Sequence, residues 1–331
     1  MSYPIQVRNK ELSLSVSIGI STNVLCEDIE FNSKLIETLI SQADTAMYHA
    51  KKQGGNTFCF NTPDQNFEIE RHYQLEQELK GALERNEFSI VYQPLVNLGN
   101  KNIVAVEALL RWHNKELGTV SPFEFIPLLE EIGLIIPVGK YVLRSACAQM
   151  KNWQEAGVFL ERVAVNVSPI QFKNPHFVKD LQDILEETQL EAAYLELEVT
   201  EGTILNIKDS FKTLLALQNL GVKVSIDDFG TGYSSLSYLK QLPIDTLKID
   251  KSFISDLDAD GKIIVNTIIN MGKNLKFKVI AEGIELEEQL KYLKQQKCNE
   301  GQGYFFSKPV SGNMITDLYI QYNGIEQHVL K

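Results

Sequence analysis

The sequence predicts an α/β protein in which a small α/β segment precedes a closed (β/α)8-type barrel. Three observations predict it. From Phe88 onward, short β-rich runs at 88–92, 103–109, 162–167, 194–199, 222–227, 246–249, 277–281 and 302–306 alternate with helical stretches, the rhythm of repeated βα units. Eight such runs over about 250 residues suit a closed barrel better than an open doubly wound sheet, and no Gly-x-Gly-x-x-Gly follows the first run to favour Rossmann-type binding. Run after run also ends in a polar residue.

The chain has 331 residues, 44% of them hydrophobic, room for one large domain and a smaller piece. Its longest apolar stretches, such as Gly133 to Pro137, fall far short of the ~20 residues of a membrane span, and no charged-then-apolar leader precedes them. A cytoplasmic protein is expected. The four cysteines, Cys26, Cys59, Cys147 and Cys298, form no Cys-x-x-Cys pair, so neither a disulfide framework nor a zinc site is indicated. A net charge of −11 argues against a nucleic-acid surface, which needs clustered Lys and Arg.

Residues 12–60 read as strand, loop, helix, turn and strand. Leu12 to Ile18 alternates apolar and polar residues, Asn32 to Lys52 carries Leu35, Leu39, Ala43, Ala46, Met47 and Ala50 at helical spacing, and Gly54-Gly-Asn56 stops the helix. This is too little for a self-sufficient domain. Asn61-Thr-Pro-Asp64 reads as a turn cluster, and Glu68 to Arg85 as an amphipathic linker helix with Ile69, Tyr73, Leu79 and Leu83 towards one side.

In the barrel, Val104-Ala-Val106 leads into Glu107, Val163-Ala-Val165 into Asn166, Leu195-Glu-Leu197 into Glu198, and Val222 to Ile226 into Asp227 and Asp228. Leu247 leads to Lys248, Val279-Ile-Ala281 to Glu282, and Cys298 to Gln302 opens the last run. The C-terminal ends of parallel barrel strands converge on one mouth. Two carboxylates about 4 Å apart repel by about 4 kcal/mol at an effective dielectric of 20, so a mouth this acidic calls for divalent cations. The donors are oxygens and none of the five histidines (His49, His72, His113, His176, His328) lies among them, which points to Mg2+ or Mn2+ over Zn2+. Adjacent Asp227 and Asp228 can serve two ions at the spacing of two-metal phosphoester enzymes.

Each feature also has a plainer reading. A single acid at a strand end caps a helix, and so could the Asp-Asp pair. Lys248 could pair with Asp245 or Asp250 at the rim, or place its ammonium beside an attacking water. Arg111 could be a surface residue, or a fork for a phosphate. The run Asp228-Phe-Gly-Thr-Gly-Tyr-Ser-Ser235 permits a tight, mobile loop; Glu201 could anchor it, or sit as a helix-start acid.

Two resemblances sharpen this. Val16-Ser-Ile-Gly-Ile20 with Ala43-Asp-Thr-Ala-Met-Tyr-His-Ala-Lys-Lys-Gln-Gly-Gly-Asn56 resembles the C-terminal part of a diguanylate cyclase (GGDEF) domain without its signature loop. The expected organisation is an incomplete GGDEF-like fragment at 1–62, a linker helix at 63–75 and a phosphodiesterase barrel at 76–331. Over residues 76 to 315 the chain resembles the EAL phosphodiesterase family through Tyr92-Gln-Pro94, Glu107-Ala-Leu-Leu-Arg111, Asn166-Val-Ser168, Glu198-Val-Thr-Glu201, Asp227-Asp-Phe-Gly230, Leu247-Lys-Ile-Asp250, Ala281-Glu-Gly-Ile-Glu285 and Gln302-Gly-Tyr304. It departs from the family pattern at Lys115, Asn299 and Gly202, none a ligand position.

The EAL resemblance implies a modified TIM-type barrel with one reversed strand. It implies a first metal on Glu107, Asn166, Glu198 and Asp227, a second on Asp227, Asp228 and Glu282, and Lys248 beside the attacking water. Substrate contacts would come from Gln93, Arg111, Gln302 and Tyr304, loop anchoring from Glu201, support from Glu285, and the protein would be a homodimer. The expected activity is hydrolysis of cyclic di-GMP to linear 5′-pGpG by two-metal activation of water, with Lys248, Glu107 and Glu282 as catalytic groups. The alternatives are an inert receptor that binds the dinucleotide uncleaved, and a Mg2+-dependent barrel lyase using Lys248 as base.

Overall fold

A computed structural model describes residues 5–7, 10–12, 15–22, 33–52, 54–204, 207–232, 239–255 and 257–324. The chain divides into two compact units, Met1–Lys80 and Gly81–Lys331.

In the first unit, β1 (Ile5–Val7) pairs antiparallel with β2 (Lys10–Leu12), and β3 (Ile18–Ile20) pairs in parallel with β4 (Phe58–Phe60). The helix Ser33–Lys52 connects β3 to β4, as a parallel pair requires. The alternation from Leu12 is therefore split between β2 and β3, and Ser13 and Leu14 lie outside the described residues. The second helix runs Pro63–Leu79, not 68–85. Asn61 to Asp64 opens this helix instead of forming a separate turn, because proline suits the first helical position, where no intrahelical N–H is needed. Beyond it, Gly81 at φ 87° breaks the helical path.

In the second unit, β5 (Phe88–Asn97), β6 (Ile103–Asn114), β8 (Arg162–Asn166), β9 (Leu195–Thr200), β10 (Lys223–Phe229), β11 (Thr246–Ile249), β12 (Lys278–Ala281) and β13 (Glu300–Gly301) close into a barrel through the β5–β6 pairing. The short β7 (Gly118–Val120) extends β6. Apart from β7, which pairs antiparallel with the end of β6, neighbours from β6 to β13 are parallel, whereas β5 is antiparallel to both β6 and β13, the one reversed strand of the barrel. Val163, Val165, Leu195, Leu197, Leu247 and Ile249 are buried. Such near-continuous apolar runs are what a parallel strand covered on both faces needs.

The last strand lies earlier than the sequence indicates, at Glu300–Gly301 rather than 302–306. The aromatic run from Tyr304 carries strand propensity, but a Cβ on Gly303 would stand 2.0 Å from the Ile284 carbonyl oxygen. The backbone crosses Ile284 at that point and turns. Ile284 N–H donates to the Gln302 carbonyl at 3.0 Å and Phe305 N–H to the Ile284 carbonyl at 2.9 Å. Among the described residues, no helix is long and apolar enough to cross a membrane.

Candidate active site

Parallel register brings the strand-end residues to one rim. Asn166 pairs with Glu198 across β8 and β9, Glu198 with Ser225 of β10, and Glu107 faces Gln93 of the reversed strand. Asp227 and Asp228 fall where the β10–β11 register shifts, between Ile226 and Phe229, and Asp228 adopts φ 53°. Such a bulge breaks the strict in–out alternation of a strand. Both neighbours can therefore serve the same mouth.

Glu107 is held on both oxygens. Asn166 Nδ2 donates to Oε1 and Gln302 Nε2 to Oε2, each at 2.6 Å. Gln302 Nε2 also reaches Gln93 Oε1 at 3.0 Å, and Gln93 Nε2 donates to the Ser307 carbonyl at 3.1 Å. One polar chain thus links β8, β6, the end of β13 and β5.

Lys248 is 1% exposed, with Nζ 2.6 Å from Glu198 Oε2, 2.6 Å from Glu282 Oε1 and 3.2 Å from Asp227 Oδ1. The alternative rim pairs are not made. Asp245 instead accepts the Val224 N–H at 2.9 Å, and Asp250 accepts the Ser252 N–H at 3.0 Å. Carboxylate oxygens of Asp227, Asp228 and Glu282 lie within 4.8 Å of one another.

The cluster carries more negative charge than one ammonium offsets. Burial, together with neighbouring carboxylates, pushes the Glu198 carboxyl well above its ordinary range and Glu282 up to about 8. Burial and Asp227 push Asp228 up to about 6. Glu107 goes the other way: burial opposes ionisation, but Lys248 and the Gln302 and Asn166 hydrogen bonds outweigh it. Burial likewise works against the Lys248 ammonium, yet Asp227, Glu107, Glu198 and Glu282 hold its proton firmly.

The donor set fits divalent cations. Asp227 Oδ1 is buried and has no hydrogen-bond partner beyond its ion pair with Lys248, and raised carboxyls beside it mark charge awaiting a counter-ion. Every donor is an oxygen, the preference of Mg2+ and Mn2+.

Other expected residues lie around this centre. Glu201 opens the helix Glu201–Ile204, and its Oε2 accepts the Gly230 N–H at 3.3 Å. A Cβ on Gly232 would sit 2.8 Å from the Glu201 carboxyl carbon, so the loop backbone rests on that carboxylate. Residues 233–238 of the loop lie outside the described residues. Arg111 and Tyr304 line a cavity of about 600 Å3 that also touches Asn166. Arg111 Nη1 donates to the Leu110 carbonyl at 2.8 Å. Glu285 is exposed, and its backbone N–H donates to Gln289 Oε1 at 2.8 Å.

Two groups exceed the expected set. Burial first, then Asp227 and Asp250, raises the Asp228 carboxyl, and Asp250 directly follows β11, two residues after Lys248. At the opposite barrel end, Arg162 is buried between Glu196 and Glu300, with Nη2 2.6 Å from Glu300 Oε2. Lone charges at strand starts gave no sign of this pairing.

The sequence pattern of the EAL domain matches residues 76–309. The Pseudomonas aeruginosa protein "Bifunctional diguanylate cyclase/cyclic di-GMP phosphodiesterase MucR" is 40% identical over 318 residues, covering 95% of this chain and 46% of that protein. "Cyclic di-GMP phosphodiesterase PdeR" of Escherichia coli is 34% identical over 322 residues, 96% of this chain and 48% of that protein. This chain therefore spans about half the length of these curated relatives. Among solved structures, "PaMucR Phosphodiesterase, c-di-GMP complex" superposes with a TM-score of 0.71 at 42% identity, covering 73% of this chain and 99% of that one.

Proposed function

The chain belongs to the EAL domain family, and from that premise we propose that it is a metal-dependent phosphodiesterase that hydrolyses cyclic di-GMP to linear 5′-pGpG. The observation that carries this reading is the buried Lys248 ammonium among the Glu198, Asp227 and Glu282 carboxylates, beside a Glu107 already gripped by Asn166 and Gln302. Relatives named as cyclic di-GMP phosphodiesterases support the substrate.

Glu107, Asn166, Glu198 and Asp227 would hold one Mg2+ or Mn2+ and Asp227, Asp228 and Glu282 a second. Bound there, the two ions would lower the pKa of a water and offset charge on the phosphoryl oxygens. The protein's own groups do the rest. Lys248 keeps its proton, so it acts as a hydrogen-bond donor that orients the attacking water and balances charge at the phosphate. Asn166 and Gln302 fix both oxygens of Glu107, which pre-sets the ligand geometry. Gln93 and Gln302 meet the dinucleotide at the mouth, and the fork of Arg111 takes a phosphate with Tyr304 beside it. Glu201 holds the loop after Asp228 through Gly230, and Glu285 supports the segment after Glu282.

Residues 1–62 are read as the end of a GGDEF domain and 63–75 as a linker before the barrel at 76–331. The alignment with MucR, which covers 95% of this chain, supports a shared upstream segment. Cytoplasmic placement and homodimerisation through the barrel complete the proposal.

Purified protein incubated with cyclic di-GMP and Mg2+ or Mn2+ tests it, with chromatography of the products. Linear 5′-pGpG that appears only with metal is expected. Tight binding with no linear product would favour the receptor reading instead.

A further inference from the structure

The β11–β12 ladder stops just short of the reaction centre. Its last register pair is Ile249 with Ala281, and Glu282 N–H donates to the Ile249 carbonyl at 3.2 Å as the chain leaves the sheet. Glu282 thus lies past the ladder, yet its Oε1 meets Lys248 Nζ at 2.6 Å. Contacts outside the sheet have to hold that approach.

Two such contacts are present. Gly283 adopts φ 69°, and a Cβ there would stand 2.6 Å from Lys251 Cβ, so the backbone after Glu282 lies directly against the helix Lys251–Ser255. Gln289, 6% exposed, makes the second. It is the third residue of the helix Glu287–Gln295, and its Oε1 accepts the N–H groups of Glu285 and Leu286, each at 2.8 Å. A glutamine at this position often reaches back to the residue before its helix as a cap. The other end of the amide does something else: Nε2 donates to the Ile254 carbonyl at 2.9 Å, 35 residues away in sequence. One buried side chain therefore ties the segment after Glu282 to the helix that follows Lys248. All three bonds go to main chain, so they fix backbone position.

We propose that Gln289 is a positioning residue for Glu282, holding its carboxylate against Lys248 and in register with Asp227 and Asp228 by clamping the two backbone segments together. This rests on the second ion proposed at Asp227, Asp228 and Glu282. Gln289 touches neither ion nor substrate and acts only through Glu282.

The test measures Mn2+ affinity by calorimetry for wild type, Gln289→Ala and Gln289→Glu, with Tm in chelator recorded alongside. Glutamate keeps the acceptor for the two N–H groups but sets an oxygen against the Ile254 carbonyl, so it breaks the long-range tie and spares the cap. Its added negative charge would by itself strengthen cation binding, and a weakening therefore reports geometry. Both variants are expected to bind Mn2+ about tenfold more weakly or worse, within the range for groups one layer out from a metal, with Gln289→Glu closer to wild type in Tm than Gln289→Ala. Wild-type Mn2+ affinity in Gln289→Glu makes Gln289 a helix cap only and overturns the inference alone, whether or not Gln289→Ala folds. A wild type that binds no Mn2+ overturns the metal-site reading and this inference with it.

Discussion

Lys248 Nζ stands 2.6 Å from Glu282 Oε1, and the same ammonium meets Glu198 Oε2 at 2.6 Å. A buried cation shared by carboxylates from β9 and the end of β12 holds neighbouring ligands together while remaining protonated. Lys248→Ala is expected to lower kcat by about 10²–10⁴-fold, the range for loss of a positioned proton-transfer or donor group. Cyclic di-GMP affinity, measured by calorimetry in Ca2+, should change by less than about fivefold. A variant that turns over at the wild-type rate would show that Lys248 is an ion-pair partner only.

Glu107→Ala leaves Asn166 Nδ2 without its acceptor and Gln302 Nε2 with Gln93 Oε1 alone. Turnover should fall below detection, and Mn2+ affinity by about 10–100-fold or more, the scale seen even for groups one layer further from a metal. Asp227→Ala should do the same, because its carboxylate serves both proposed ions. Calorimetric titration of Mn2+ separates loss of metal from loss of fold, which circular dichroism reports in parallel.

Stability of the metal-free protein should decline as pH rises. Burial first, with repulsion from Asp227 and other acids, raises Glu282 to about 8 and Asp228 to about 6 in the fold, against ordinary values of 4.5 and 3.8. A carboxyl whose folded pKa is raised binds more protons in the folded than in the unfolded chain, so its contribution is present below the ordinary value and lost as pH climbs through the folded one. In chelator, Tm should therefore be lower at about pH 8.5 than at about pH 5. Mn2+ should raise Tm more at the higher pH, where the carboxyls are ionised and ready to ligate. Equal Tm gains at both pH values would contradict this account.

Arg162 at the other end of the barrel gives the complementary prediction. It starts β8, is 1% exposed, and lies between Glu196 and Glu300, and Lys278 Nζ is 2.6 Å from Glu300 Oε1. Arg162→Ala should destabilise the protein by about 3–5 kcal/mol, the cost of leaving buried charges unpaired. Activity per folded molecule should be preserved at low temperature. Urea unfolding followed by fluorescence, with a parallel rate measurement, checks both halves.

Much of the barrel was legible because its strands are short apolar runs that end in polar residues, a pattern that periodicity and chain length resolve together. Seven of the eight runs overlap a barrel strand. The eighth failed because Tyr304 to Phe306 carries strand propensity, whereas Gly303 has to pass against Ile284, a tertiary constraint without a local signature. Within the site, Glu107, Asn166, Glu198, Asp227, Lys248 and Glu282 could be picked out as strand-end residues. The three-carboxylate environment of Lys248 could not, since Glu198, Asp227 and Glu282 approach it only after the barrel closes. The influence of Asp250 on Asp228 depends on the same closure, compounded by the left-handed Asp228, a conformation that sequence does not mark outside glycine and asparagine.

The reversed strand has a consequence for how a force on the chain would travel. β5 runs against its neighbours, and its first residue, Phe88, lies beside Trp112, beyond Glu107 on β6. In an all-parallel barrel the polypeptide enters at the floor, and a tug on it must cross the full height of the wall. Here it enters at the ceiling, on the rim of the carboxylates. Gln93 is the fifth residue after Phe88, so a small shift in the thread leading into the barrel arrives within one strand's length of the reacting groups.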